Sequence, residues 1–140
     1  MPRSEALQAL DWLVGSWEMS GGITGQVRFR WAEGGHFLLQ EVDLVHAGQA
    51  IRGLEIIGHR AKPGRPPEEA ITSRFTSFLD GLTLDYIYEM TGDTLVIWFE
   101  DKALNNRMVS RFSPDGQVHS GSWSWPGGGY SFSARRIGAP

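Results

Sequence analysis

The stretch Leu13–Gly22, "LVGSWEMSGG", is where the chain changes its period. Before it, Ser4 is placed to cap a helix, Glu5 suits the positive helix start, and Leu7, Leu10 and Val14 recur at helical spacing. Gly15 is expected to end that helix in the left-handed conformation. After it the apolar residues alternate. In "QVRFRW" (26–31) Val27, Phe29 and Trp31 share one face, and Gln26, Arg28 and Arg30 share the other. Trp17 stands at the junction, just ahead of the first alternating run.

The same alternation recurs down the chain. Strands are read in "FLLQEVDLVH" (37–46), "AIRGLEIIGH" (50–59), "ITSRFTSFL" (71–79), "LTLDYIYEM" (82–90), "TLVIWFE" (94–100), "RMVSRF" (107–112), "QVHSGSWSW" (117–125) and "YSFSARRI" (130–137). Turn signals separate them. "AKPGRPP" (61–67) is the longest break, "DG" (80–81) reads as a two-residue hairpin, and "SPDG" (113–116) is a turn. No second helix is long enough to cross between parallel strands. The expected architecture is therefore all-β. It is a single antiparallel up-and-down meander of about nine or ten strands with a short N-terminal helix, and its sheet closes into a barrel that removes exposed edges. Residues 1–140 are expected to form this one domain.

Composition narrows the function. A net charge of −3 and 13 scattered Lys and Arg lack the basic face of a nucleic-acid binder. Apolar runs fall short of a membrane span, and the N-terminus lacks the pattern of a secretory signal. With no cysteine, thiolate chemistry and disulfides are excluded, and the expected location is the cytoplasm.

Parity then selects inward residues. In 82–90, Leu82, Leu84, Tyr86, Tyr88 and Met90 form the apolar face. In 37–46, Leu38, Val42 and Leu44 take Gln40 inward with them. In 50–59 the choice stays open: either Ile51, Glu55, Ile57 and His59 face in, or Arg52, Leu54 and Ile56 do. In 117–125 the face with His119, Trp123 and Trp125 is read as internal. The expected interior holds Gln40, Glu55, Tyr86, Tyr88 and His119 as polar anchors, with Trp98 and Trp123 as an apolar wall. Such a mixture suits a small, partly apolar or amphipathic ligand, although buried tyrosine and tryptophan are also ordinary core residues.

Catalysis and metal binding find little support. No hydrolase, metalloprotease or phosphate-loop motif occurs, and the spacing of His36, His46, His59 and His119 suggests no metal cluster. Glu41 and Asp43 share a face opposite Val42 and Leu44, which reads as solvated surface. The strand 94–100 is apolar on both faces, so pairing of two barrels is an alternative reading.

The motif Gly15-Ser16-Trp17, placed after a short helix, resembles the G-x-W signature of lipocalin-like (calycin-type) barrels. "WAEGGHFLLQEVDLVH", "GLEIIGH", "DTLVIWF", "RFSPDG" and "GSWSWPGGGY" with Arg136 resemble a group of small bacterial lipocalin-like proteins of unknown function, from about Leu7 to Arg136. That group often has tyrosine and aspartate after "IIG", where this chain has His59 and Arg60. The resemblance implies that Trp17 plugs one end of the barrel beneath an arginine of the last strand. Arg136 shares the apolar face of Tyr130, Phe132 and Ala134, so parity favours it over Arg135. A more distant likeness to nitrobindin-like barrels implies haem held by an axial histidine, with His119 the first nominee and His59 the second. The leading expectation is a non-enzymatic binder of a small molecule.

Overall fold

The computed structural model describes residues 2–140; Met1 lies outside the described residues. A single α-turn, α1 (Glu5–Gln8), runs into a 3-10 turn (Ala9–Leu13). Ten strands follow: β1 (Gly15–Gly21), β2 (Ile23–Trp31), β3 (Leu38–His46), β4 (Gln49–His59), β5 (Ile71–Ser77), β6 (Thr83–Thr91), β7 (Thr94–Phe99), β8 (Arg107–Phe112), β9 (Val118–Trp125) and β10 (Gly128–Gly138). Each strand pairs antiparallel with its neighbours in sequence, and β1 pairs with β10 to close the barrel. No described helix is long and apolar enough to cross a membrane.

The helical segment caps one end of the barrel. Ser4 Oγ accepts the Leu7 amide at 3.1 Å and so caps α1. His59, at the end of β4, fastens the same cap: its Nδ1 donates to the Glu68 carbonyl at 2.8 Å, and its Nε2 meets Ser4 Oγ at 2.7 Å. Leu7, Leu10 and Leu13 are buried against this end, each stabilising the packing by about 2 kcal/mol relative to exposure.

Gly15 does not end the helix. Val14 follows the 3-10 turn, and Gly15, at φ 136°, opens β1, a strand that the alternation did not reveal. A Cβ on Gly15 would stand 2.5 Å from Arg136 Nη1, so the glycine makes room for the guanidinium. Aspartate and glycine at 80–81 do not form a two-residue hairpin either. They lie within the connection 78–82, closed by bonds from the Gly81 amide to the Ser77 carbonyl and from the Ser77 amide to the Leu82 carbonyl. Leu82, expected inside, is consequently exposed.

Register settles the open face of β4. Glu55 lies opposite Gln40 on β3 and Phe75 on β5, so Glu55 and Ile57 are buried while Leu54 and Ile56 point outward. On β7, Leu95 and Ile97 are buried, and Ile97 lies opposite Tyr88 and Met108. Trp98 takes the other face, where Lys102 Nζ stands 4.3 Å from its ring centre. Glu41 and Asp43 also face outward, in ion pairs with Arg28 and Arg30 and with Arg52.

Candidate functional site

The closed end is built around Trp17, which is fully buried. Its Nε1–H donates to the Leu13 carbonyl at 2.8 Å, and Phe112 and His119 meet its ring edge-on at 5.9 and 4.8 Å. Arg136 lies over the indole with its guanidinium carbon 4.2 Å from the ring centre. Its nitrogens donate to the carbonyls of Val14, Trp12 and Gly116, tying β10 to the 3-10 turn and to the turn after β8. Arg135 points away and pairs with Glu18 at 2.7 Å.

Above this floor lies a cavity of about 490 Å³, lined by Gln40, Glu55, Tyr86, Tyr88, His119 and Trp123 among others. It continues to the opposite end of the barrel, where Phe99, Asn106, Trp125 and Tyr130 belong to its lining. Trp98 is not part of it; β7 offers apolar residues on both faces, and its register turns Phe99 toward the cavity instead. Trp123 is therefore the tryptophan of the expected wall that remains, set edge-on to Tyr86 at 6.0 Å.

Glu55 is the centre of a polar cluster. It is buried and accepts from Gln40 Nε2 at 2.9 Å, Tyr88 Oη at 2.7 Å and Ser73 Oγ at 2.5 Å. Desolvation raises its carboxyl above the usual range, against the pull of these three donors. Burial, together with the nearby Glu55, also raises Tyr88 and Tyr86. At the rim, burial pushes Tyr130 up to about 12, and its ring lies tilted by 39° against His46 at 4.4 Å. Ser73 shares parity with Ile71 and Phe75, so its inward position was readable from the alternation. Asn106 lies in an aperiodic segment and gave no such signal.

His119 belongs to the floor. Its ring stacks on Phe112 at 4.5 Å, and its Nδ1 shares a 2.6 Å hydrogen bond with Ser110 Oγ. Burial, followed by the charge of Arg136, lowers its pKa to about 4, so the imidazole is neutral at pH 7. Haem does not fit this lining. The cavity wall includes no lysine or arginine among the described residues to meet two propionates, and His119 is hemmed by Trp17, Phe112 and Phe132. His59, the second nominee, is committed to Ser4 and Glu68. No group of three or more metal-ligating side chains occurs among the described residues.

No protein-family model matches this chain, and no curated protein matches it. The fold and the cavity therefore stand on the chain's own residues: an antiparallel meander barrel, stoppered at one end by Trp17 and Arg136, with a mostly apolar chamber behind them.

Proposed function

We propose that this protein is a lipocalin-like binder of a small, partly apolar molecule, held inside the barrel without chemical change. The observation that carries the reading is the cavity of about 490 Å³ that runs from the Trp17 floor to the far rim. Its size falls in the ordinary range of small-molecule pockets. Its wall combines aliphatic and aromatic side chains with one compact polar cluster, the pattern that gives affinity through burial and orientation through a few hydrogen bonds. Ser110 Oγ lies 2.6 Å from His119 Nδ1, but Ser110 is fully buried outside the chamber lining, so this pair presents no nucleophile to a bound molecule.

Titration with the uncharged dye N-phenyl-1-naphthylamine tests this. Its fluorescence should rise on entering the chamber and saturate at one dye per chain. Val42 lines the chamber, and Val42→Trp should abolish the rise while the circular dichroism spectrum is retained. Equal dye binding by the folded variant would remove the cavity from consideration. Native mass spectrometry of freshly purified protein should show an added mass that the same variant lacks.

A further inference from the structure

We infer that the chamber is selective for an uncharged amphiphile, such as an aliphatic or isoprenoid alcohol, ester or amide, and rejects the carboxylate of a fatty acid. The inference rests on the cavity-binding reading and names the ligand class of that same site.

The charge inventory of the wall carries the argument. Of the residues that line the chamber, Glu55 is the one acid, and neither lysine nor arginine is among them. The nearest cation at the floor, Arg136, lies on the far side of Trp17, with its donors spent on the carbonyls of Val14, Trp12 and Gly116. Lys102 lies over Trp98 on the outer face. Each of the two lining histidines has its Nδ1 engaged, His46 with the Gly22 carbonyl and His119 with Ser110, and burial keeps the His119 imidazole neutral at pH 7. An anionic head group entering the chamber would lose its water and meet no opposite charge, which strongly disfavours the ionised form.

The same wall suits a neutral polar group. Glu55 is surrounded by uncharged donors only, which occupy its oxygens, and burial raises its carboxyl above the usual range. Tyr86 lies across from Ser73, one of those donors. The Tyr86 hydroxyl and the Gln40 amide oxygen have no protein partner, yet no fully buried polar side-chain atom among the described residues lacks one. Both atoms are therefore open to the chamber, the Tyr86 hydroxyl as a donor or acceptor and the Gln40 oxygen as an acceptor for a neutral polar group.

Competition against bound N-phenyl-1-naphthylamine at pH 7.5 tests the inference, using 1-decanol, decanoate and decylamine. An aliphatic acid of ordinary pKa is ionised about 10³-fold over its neutral form at this pH, so decanoate should compete roughly 10²- to 10³-fold more weakly than decanol. Decylammonium should also be weaker than decanol. Glu55→Gln, checked for folding by circular dichroism, should keep the preference for decanol over decanoate. Decanoate within threefold of decanol, in either protein, would overturn the inference while leaving the cavity as a binding site. Decylammonium binding more tightly than decanol would overturn it by showing Glu55 acting as a counter-ion. Failure of the dye to bind the native protein would instead remove the underlying reading, and the inference with it.

Discussion

Replacing Arg136 by alanine tests the closure of the barrel most directly. The guanidinium sits 4.2 Å over the buried Trp17 ring, an interaction worth about 1–2 kcal/mol when partly desolvated. It also donates to the backbone carbonyls of Val14, Trp12 and Gly116, joining β10 to the helical cap and to the turn after β8. Hydrogen bonds from a charged donor contribute about 1.5–3 kcal/mol each when buried. Here water reaches part of the group and replaces some of that. The expected loss is about 3 kcal/mol, or about 10 °C in Tm for a chain of 140 residues. Arg135→Ala is the control. Arg135 differs by one position, faces out and makes an exposed ion pair with Glu18, which is worth about 0–1 kcal/mol. Urea unfolding followed by circular dichroism and tryptophan fluorescence gives both values, with m unchanged if only native stability is affected. Equal losses from the two alanine variants, or a loss below about 1 kcal/mol for Arg136→Ala, would refute the closure argument.

Tyr88→Phe removes one of the three donors to Glu55 and should cost about 1–3 kcal/mol in urea unfolding; an unchanged midpoint would mean that the cluster contributes little. Because the folded pKa of Glu55 is raised, the native state holds its proton more tightly than the unfolded chain does. The stability it contributes is present below about pH 4.5 and is lost as pH rises through the folded pKa, so Glu55→Gln should gain on the native protein between pH 4 and 8; a constant or reversed difference would contradict the burial argument. His119 has the opposite sign: its folded pKa near 4 makes it a source of stability above pH 6.5 that fades as pH falls toward 4. Its imidazole proton resonance should stay flat down to about pH 5, and a titration midpoint near 6.5 would place the ring in water. Trp98→Ala should leave dye affinity within about twofold, whereas Trp123→Ala should weaken it by about tenfold, because of these two Trp123 alone lines the chamber; the reverse order would invert the assigned face of β7.

How far the chain could be read in advance differs from strand to strand. On β6, polar Thr83 and Glu89 face out while the half-buried Tyr86 and buried Tyr88 face in, so alternation alone aimed both tyrosines into the chamber. On β10, parity separated Arg136 from Arg135 for the same reason. β1 escaped notice because its glycines and polar residues leave only Trp17 and Met19 to mark an inner face. Trp98 was misplaced because β7 is apolar on both sides, and a strand of that kind has no inner face until its neighbours supply one. The carboxylate Glu55 posed the same difficulty among the isoleucines of β4, and its three donors come from β3, β5 and β6.

By itself the sequence determined nine of the ten antiparallel strands, most of their turns and the helical cap, because a period of two and the demands of turns are local properties of the chain. It also carried the residues of the stopper, Trp17 on β1 and Arg136 on β10, which lie opposite each other in the closing pair. Tertiary structure alone decided which face of β4 and β7 looks inward, because that depends on register with strands far away in sequence. It alone decided that the barrel is hollow rather than filled. The volume at the centre is what remains after side chains from all ten strands have packed around the ring, and no single stretch of the chain contains that difference.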